Sequence, residues 1–520
     1  MNGAVAAGHP LTAEAGARAL REGGNAVDAC VAAAFAAWVT ESPLTGPGAG
    51  GFVLVRPARR PARVADFFVA EPGLGRRRRE GAEMQAVDIG FGGGAETTQV
   101  FRIGEASCAV PGTAAGLEAV HRAYGRRPWR EVLAPALELA RAGVELNRAQ
   151  AHLHAILDLI LRHQNEGRRV YSRPDGGRLQ PGDVLTLPDL ADTLERIGAE
   201  GAGCLYRGEL AERIVETVAA GGGTLTLDDL DAYRVVWRRP VGARFHGFDV
   251  ISNPPPSSGG ILIAYGLALL EQLPDARAGS AEAIAALVGA MREQSRVRAA
   301  GFTRGLRRGG LPGRLLDPRA VGEAVARIRA GAAGAPEPVP AGGTTHVSVV
   351  DADGNAASLS SSTGSGSGVI VPGTAIHLNN MLGEYDLVGE GPARPGRRLT
   401  SMMAPTLVAG TDGPRLVVGS AGSVRLRGAI MQVIVNVVAH GLDVADAIDR
   451  PRVHVDEPHV HCEGGFDEHE LDRLAQDGYD LVRWRRRNLY FGGTNAVEML
   501  ADGSVAAAGD ARRGGGGVVV

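Results

Sequence analysis

The chain has 520 residues, of which 44% are hydrophobic, and a formal net charge of −3 with basic and acidic residues mixed along its length. A chain of this length buries a large core and predicts about two to four domains. The near-neutral charge gives no electrostatic footprint for nucleic acid, so we interpret the basic runs 76–79 and 485–487 as solvated loops.

Cysteine usage and hydropathy bear on the compartment. The four widely separated cysteines form neither a CxxC pair nor a Cys/His metal spacing, which favours free thiols in a reducing compartment. The chain opens MNGAVAAGHP, without the pattern of a secretory signal, and its longest apolar run, 26–39, is shorter than the roughly 20 residues of a membrane span. We therefore expect a cytoplasmic protein without membrane association, or a periplasmic or secreted one if the true start lies upstream.

The first third of the chain predicts helices separated by glycine-rich turns. A helix over 12–21 ends before a Gly-Gly pair, and Asn25 is suited to cap the alanine-rich, buried helix that follows. Amphipathic helices are expected over 111–124 and 129–142.

Strands become frequent after residue 225, and no internal repeat is visible. The pattern predicts a strand at the end of the segment 225–241, then the following elements: a strand over 245–251, a helix over 257–273, strands over 368–371, 403–407 and 415–418, and a helix over 426–438. Strands and helices interspersed in this way indicate an α+β fold, and suit a four-layer αββα sandwich.

The run 342–351 (GGTTHVSVVD) follows a segment of different character. Residues 331–343 are small, punctuated by proline and without periodicity, which is typical of a flexible linker. After Thr344 the sequence predicts a strand, a turn at 351–355 and a second strand. If the bond before Thr344 is cut, this residue gains an α-amine that can activate its own hydroxyl. The pattern thus predicts an N-terminal nucleophile hydrolase, although a threonine-rich strand in an ordinary hairpin gives the same pattern.

The register of this hairpin follows from its loop. A loop of three residues makes Asp351 face Asn355 and brings Ser362 opposite Thr344, with Cβ atoms about 5 Å apart. Ser362 is therefore a candidate to hydrogen-bond the hydroxyl or amine of Thr344. A loop of two residues would offer Thr363 instead.

Two neighbouring features are interpreted as structural. His346 lies on the same strand face as Thr344, but the α-amine of a cleaved Thr344 already fills the role of base. The acidic segment 351–355 has the composition of a metal loop and is better explained by the turn. We predict no metal and no organic cofactor.

The segment 419–423 (GSAGS) lies between a predicted strand and a predicted helix, where backbone amides face outward and attract anions. Acyl transfer develops a negative oxygen, and fixed donors around it supply a large part of catalysis. We interpret the segment as an oxyanion hole; the alternative is a glycine turn that only packs. Nucleotide binding is not favoured, because neither GxGxxG nor GxxxxGK[ST] opens a helix after a strand.

Taken together, the motifs resemble those of the γ-glutamyltransferase family, also called γ-glutamyl transpeptidases. TTH at 344–346, followed by a strand and D-x-x-G-N, matches the family's nucleophile motif. Six further segments occur in the family's order: 8–52, CAVPGTAAGLEAV at 108–120, NPPPSSGGI at 253–261, HLNNML at 377–382, LTSMMAPTLV at 399–408 and GSAGSVRLRGAIMQVI at 419–434.

The resemblance implies the αββα sandwich of N-terminal nucleophile hydrolases and cleavage before Thr344. Residues 1–343, with a cleavable linker at about 331–343, then form the large subunit, and residues 344–520 form the small one. Gly422 and Ser423 match the two glycines whose amides form the family's oxyanion hole.

Substrate recognition departs from the family pattern. Thr400 and Ser401 match a pair of serines that bind the α-carboxylate of the substrate, so hydroxyls are kept there. Four charged or polar recognition positions are changed. Phe68 stands where the family has an arginine, and Gly364 stands where it has an asparagine. Met381 stands where the family has a glutamate or glutamine, and Glu384 stands where it has an aspartate. The catalytic residues therefore look intact, while most charged recognition of glutamate is gone.

Three hypotheses follow. The first is a γ-glutamyltransferase-like enzyme that forms an ester on Thr344 from an amide donor, such as glutathione in the family, and passes the acyl group to water or an amine. The alternative is an amidohydrolase or acylase acting on a non-glutamyl amide. The third is an unprocessed, non-catalytic binding protein. For the enzymes, the expected partners are a small-molecule donor, a water or amine acceptor, and the chain's own cleaved subunits as a heterodimer.

Overall fold

The computed structural model describes residues 3–76, 81–90, 98–298, 301–336, 343–388 and 392–520. Within them the strands are β1 (Ala4–Ala7), β2 (Gly50–Arg56), β3 (Arg63–Phe67), β4 (Gln85–Gly90), β5 (Thr98–Ile103), β6 (Val144–Glu145), β7 (Val184–Leu185), β8 (Val236–Arg238), β9 (Val241–Phe245), β10 (Phe248–Ser252), β11 (Gly343–Val350), β12 (Ala356–Gly364), β13 (Ile370–Val371), β14 (Ile376–His377), β15 (Thr406–Gly410), β16 (Gly413–Ala421), β17 (Val453–Asp456), β18 (His459–Cys462), β19 (Leu481–Arg483), β20 (Gly493–Met499), β21 (Val505–Ala508) and β22 (Gly516–Val519).

The α-helices of the described residues are α1 (Pro10–Arg21), α2 (Ala26–Thr40), α3 (Thr113–Tyr124), α4 (Trp129–Ala142), α5 (Arg148–Ile156), α6 (Asp158–Leu161), α7 (Asn165–Tyr171), α8 (Pro188–Glu200), α9 (Glu209–Ala220), α10 (Leu227–Ala232), α11 (Gly259–Leu270), α12 (Ala281–Arg298), α13 (Phe302–Arg308), α14 (Leu311–Leu315), α15 (Pro318–Arg329), α16 (Tyr385–Val388), α17 (Arg425–Val438), α18 (Val444–Asp449) and α19 (Glu468–Gln476).

Two large sheets pack face to face in the centre of the molecule. The first has the order β22-β1-β11-β12-β2-β3-β8, and the second the order β21-β20-β16-β15-β10-β9. Strand β11 contacts β16 and β20 across the gap, which is filled by side chains such as Phe52, Leu54, Leu407 and Val417. Helices α1 and α2 pack on the first sheet, and α11 and α17 on the second. The predicted αββα sandwich is confirmed.

Helix α2 shows why the outer layer is stable. All fifteen of its residues are buried, because its alanine-rich surface is apolar all round and packs between the first sheet and α4. Asn25 caps it, as the sequence predicts, and the structure adds a capping box with Asp28. The predicted helix over 129–142 matches α4.

Two strand predictions are wrong in part. The segment 245–251 is a hairpin, since the chain reverses between β9 and β10 at His246 and Gly247, which have φ values of 46° and 83°. The strand predicted over 403–407 begins only at Thr406, because Pro405 has no amide to donate to a ladder.

The nucleophile hairpin has the predicted register along most of its length. The amide of Asp351 donates to the Asn355 carbonyl at 3.0 Å, closing the three-residue loop, and Thr345 faces Ser361. The two-residue alternative is therefore wrong. Beyond this pair the register shifts, so that Gly343 faces Gly364 and the strand bulges around Thr344.

The four cysteines, Cys30, Cys108, Cys204 and Cys462, are buried free thiols, as predicted. Burial raises the pKa of the Cys108 thiol to about 12. Across the described ranges no helix has both the length and the hydropathy to cross a membrane.

Candidate active site

Thr344 lines a cleft with an empty volume of about 340 Å³ at one end of the two sheets. The cleft brings together seven positions singled out from the sequence: Phe68, Thr344, Ser362, Met381, Glu384, Ser401 and Ser423. They come from five separate stretches of the chain. Gly364, Thr400 and Gly422 lie beside the cleft without lining it.

The hydroxyl of Ser362 contacts the peptide unit before Thr344. It donates a hydrogen bond to the carbonyl oxygen of Gly343 and accepts one from the amide of Gly364 at 2.8 Å. The sequence predicted the hydroxyl or amine of Thr344 as its partner. The bulge shifts the contact to the preceding carbonyl, so Ser362 polarises the bond that cleavage would break.

The turn between β16 and α17 carries Gly422 and Ser423, the two positions expected to form an oxyanion hole. Gly422 has φ 125°, a conformation open mainly to glycine, and Ser423 has φ 55° in the left-handed region. The carbonyls of both accept the first amides of α17, from Arg425 at 3.1 Å and Leu426 at 3.2 Å. A serine is tolerated in place of glycine because the left-handed region admits a residue with a Cβ at a cost of about 1 kcal/mol.

The positions of Phe68 and Met381 make one wall of the cleft apolar. Phe68 is 1% exposed and stacks on Phe52, with ring centroids 5.5 Å apart and planes at 21°. Met381 is 2% exposed and belongs to the same apolar cluster. A substrate carboxylate against this wall would lose its hydration without a partner.

Gly364 leaves room for two neighbouring polar side chains. It has φ 74°, and a Cβ placed there would lie 2.1 Å from Asn380 Oδ1 and 2.6 Å from Glu384 Oε1. Asn380 is fixed by Ser365, whose amide donates to its Oδ1 at 2.9 Å. The space of a larger side chain at position 364 is thus already occupied.

The hydroxyls of Thr400 and Ser401, the residues matched to the family's carboxylate-binding serines, point in different directions. Thr400 Oγ1 donates to the Leu387 carbonyl at 2.9 Å, so it fixes the segment that carries Leu387. Ser401 faces the cleft, and its Oγ accepts the amide of Met403 at 3.1 Å.

Four lining residues were missed from the sequence: Leu387, Met402, Met403 and Leu426. All are apolar; Met402, Met403 and Leu426 lie inside recognised motifs, whereas Leu387 lies outside them and has no such signal. With Phe68 and Met381 they make the cleft mainly apolar. Glu384 is the one charged side chain among the described lining residues, and none of those residues is Arg, Lys or His.

His346 lies between the two sheets. Its Nδ1 and Nε2 each lie 2.9 Å from a serine hydroxyl, of Ser360 and Ser348, and its ring packs on Gly419 of the second sheet. Burial lowers its pKa to about 3, which keeps the ring neutral. Thr345 points to the opposite face of the sheet, where its hydroxyl donates to Glu41 Oε2.

The turn at 351–355 is held by Asp351. Its carboxylate accepts the amides of Asp353 and Asn355 at 3.0 and 2.9 Å, and that of Ala26 at 2.9 Å. These bonds are those of an Asx turn. In the described parts of the chain, no three His, Cys, Asp or Glu residues group as metal ligands.

Comparisons with known proteins identify the family of the chain. The family model described as gamma-glutamyltranspeptidase matches residues 12–520. The chain is 31% identical to the glutathione hydrolase proenzyme of Escherichia coli K12, over 98% of this chain and 90% of that protein. It is 32% identical to the acylase ACY 1 proenzyme of Pseudomonas sp. SE83, over 97% and 91%.

Among solved structures, the cephalosporin acylase from Bacillus halodurans superposes with a TM-score of 0.84 and 25% identity, covering 99% of this chain and 95% of that one. This similarity supports the fold prediction of an N-terminal nucleophile hydrolase. The relatives are enzymes of two kinds on one scaffold, and the match spans nearly the whole chain. The chain is therefore an enzyme that belongs to the gamma-glutamyltranspeptidase family.

Proposed function

We propose that the chain cleaves itself between Gly343 and Thr344. The Thr344 hydroxyl adds to the Gly343 carbonyl carbon, the peptide C–N bond breaks, and the resulting ester is hydrolysed by water. Ser362, which donates to the Gly343 carbonyl, stabilises the negative charge that develops on its oxygen. The products are a large subunit, 1–343, and a small subunit, 344–520, that begins with a free α-amine.

In turnover, the α-amine of Thr344 removes the proton of its own hydroxyl as that oxygen attacks the amide carbon of the donor. The amides of Gly422 and Ser423 stabilise the oxyanion, since the turn before α17 that carries them reaches the cleft at Ser423. The α-ammonium returns the proton to the leaving amine, which leaves an acyl ester on Thr344. Water or an amine then takes the acyl group and regenerates the enzyme.

The preferred donor is an amide whose acyl group is apolar near the reacting carbon and lacks a free α-carboxylate. The apolar wall of Phe68 and Met381, and the absence of a cation among the described lining residues, support this choice. Glu384 is suited to hold a substrate amine. Relatives named as acylases, one of them a cephalosporin acylase, favour the same choice. A γ-glutamyl compound, the donor implied by the relatives named glutathione hydrolase, is the second candidate.

The observation that carries the proposal is the meeting of Thr344, Ser362 and Ser423 in one cleft. Its first test is intact-mass analysis of the purified protein. Cleavage should give chains of about 36 and 18 kDa, in proportion to 343 and 177 of 520 residues. Thr344→Ala should remain a single chain, and Thr344→Ser, which keeps a hydroxyl, should still cleave. A wild-type protein that stays full-length favours the non-catalytic alternative.

The second test compares donors on the cleaved enzyme. An uncharged acyl p-nitroanilide should be turned over with a higher kcat/KM than γ-glutamyl p-nitroanilide. The reverse order, with γ-glutamyl kcat/KM near the roughly 10⁴ M⁻¹s⁻¹ of ordinary enzymes, would assign the chain to the plain transpeptidases.

The cytoplasm is the compartment we propose, since the four buried free thiols suit a reducing environment. Cell fractionation with antibodies to the chain tests this, and recovery outside the cytoplasm contradicts it.

A further inference from the structure

A buried loop touches both strands of the nucleophile hairpin. This loop, residues 41–45 between α2 and β2, is here named the clamp loop. Glu41 Oε2 accepts a hydrogen bond from the Thr345 hydroxyl at 2.6 Å. Thr345 is the residue directly after the nucleophile, at the point where the regular register of β11 ends.

The clamp loop holds the facing strand at the same level. The hydroxyls of Thr45 and Ser361 lie 2.8 Å apart, and the Leu44 carbonyl accepts the amide of Thr363 at 3.0 Å. Leu44 also packs against Gly343, where an added Cβ would lie 2.7 Å from its Cδ2. The bulge around the nucleophile is therefore enclosed by contacts from one short segment.

The Glu41 carboxylate is built into its position. It is 5% exposed, and its Oε1 lies 3.4 Å from the hydroxyl of Thr12 on α1. A Cβ at position 8 would lie 2.2 Å from its Oε2, so only glycine leaves the carboxylate room to reach Thr345. Glu41 also lines a second cavity, of about 440 Å³, together with Arg513.

We propose that Glu41 is a positioning residue for Thr344, acting through the Thr345 hydroxyl. Adjacent residues of a strand point to opposite faces, so fixing Thr345 on the helix side turns Thr344 toward the cleft. A hydrogen bond to a carboxylate is about twice as strong as one between neutral groups. This strength suits a bond that fixes Thr345 at the point where the strand leaves its regular register. The inference rests on the proposed role of Thr344 as nucleophile.

The test compares Thr345→Val, which removes the hydroxyl at nearly constant volume, with Thr345→Ser, which keeps it. The measured quantities are the rate of self-cleavage by intact mass and, on cleaved enzyme, kcat and KM for an amide that the wild type turns over. Thr345→Val should lower the cleavage rate and kcat about tenfold or more, while KM stays within about twofold of the wild-type value. The reason is that a small displacement of a reacting group slows the chemical step more than it weakens substrate binding. Thr345→Ser should stay within about threefold of wild type.

Thr193→Val is the matched control. Its hydroxyl is also buried, with the carbonyls of Asp189 and Thr374 as acceptors at 3.0 and 2.9 Å, but it lies on α8 away from the cleft. It should lower thermal stability without changing cleavage or kcat. A Thr345→Val protein that behaves like this control overturns the inference.

Two further outcomes keep the test decisive. If Thr345→Val does not fold, Glu41→Met, which removes the acceptor at similar length, is measured instead. Slower cleavage supports the role of Glu41, and cleavage at the wild-type rate overturns it. A wild-type chain that never cleaves defeats the proposed function itself, whereas a cleaving wild type with an unaffected Thr345→Val defeats only the positioning role of Glu41.

Discussion

The hydroxyl of Ser362 is directed at the peptide unit that self-cleavage would break. Because it donates to the Gly343 carbonyl, Ser362→Ala removes a donor from the oxygen that gains charge. We expect cleavage to slow about a hundredfold, the usual effect of losing one such donor. The measurement is a time course by intact mass. Ser252→Ala, which removes a buried serine hydroxyl from the second sheet, is the control, and Ser362→Ala cleaving within about twofold of it would refute the role.

Glu41 makes stability depend on pH. Burial raises its pKa to about 7, against the opposing hydrogen bonds from Thr345 and Thr12 and the charge of Arg513. The folded protein thus binds more protons than the unfolded chain between pH 4.5 and 7, and its stability falls as pH rises through this window.

The prediction is measured in the uncleaved Thr344→Ala background by chemical denaturation from pH 4 to 8. Relative to Glu41→Gln, the protein with Glu41 should lose about 3 kcal/mol of unfolding free energy between pH 4.5 and 7 and then stay constant. Thr193→Val, which removes no titratable group, is the control, and its difference from the background should be flat. A difference that is flat or rising for Glu41 would contradict the burial argument.

Phe68 governs donor choice in the proposed function. Phe68→Arg restores the guanidinium that the family pattern has at this position, and should raise kcat/KM for γ-glutamyl p-nitroanilide about tenfold while lowering it for an apolar acyl amide. Phe68→Leu, which removes the ring without adding charge, should improve neither donor. Equal losses on both donors with Phe68→Arg would show that position 68 acts only through packing on Phe52.

Packing prevents a similar return to the family's residue at position 364. At Gly364 a side chain would collide with Asn380 and Glu384, so Gly364→Asn alone cannot restore the family's contact. Positions 364 and 384 are therefore coupled, because Glu384 fills space beside Gly364.

At the scale of elements, the turn between β16 and α17 is proposed to stabilise the oxyanion through its backbone amides rather than through its side chains. If only the amide of Ser423 matters, Ser423→Gly should keep kcat within about threefold of the wild-type value. The same substitution should raise the unfolding free energy by up to about 1 kcal/mol, because φ 55° is strained for a residue with a Cβ. Ser423→Val, β-branched and ill-suited to this region, should lower kcat about tenfold or more.

Kinetics on the cleaved proteins and denaturation of the uncleaved Thr344→Ala background check both substitutions. A large loss of kcat in Ser423→Gly would mean that the serine side chain takes part in turnover.

For the molecule as a whole, local patterns predicted much of the architecture. The helix at 129–142, the cap at Asn25 and the register between Asp351 and Ser361 follow from periodicity, capping and loop length, which are short-range properties. The bulge around Thr344 was not predictable in this way, because the contacts beside it come from the clamp loop, some 300 residues away in the sequence.

The candidate site shows the same difference between what local motifs predict and what tertiary contacts decide. Residues within motifs, such as Ser401 and Ser423, line the cleft. The direction of the Thr400 hydroxyl, toward the Leu387 carbonyl, and the lining role of Leu387 depend on how a segment outside every motif folds back. Side-chain direction at such positions is set by tertiary contacts that the sequence pattern does not encode.

The two proposed subunits are interleaved throughout the sandwich. In the first sheet β11, which would belong to the small subunit, lies between β12 and β1, and β1 would belong to the large subunit. The second sheet combines β9 and β10 of the large subunit with β15, β16, β20 and β21 of the small one. Separation would expose the apolar core between the sheets and the edges of several strands.

We therefore expect the cleaved chains to remain together as a heterodimer. In native size-exclusion chromatography the 36 and 18 kDa products should elute in one peak, at the position of the uncleaved Thr344→Ala control, and should separate only in denaturant. An 18 kDa chain that elutes alone under native conditions would contradict this. Because both sheets depend on both products, loss of the small chain should also abolish the cooperative unfolding of the large one, which thermal denaturation of a refolded 1–343 fragment would measure.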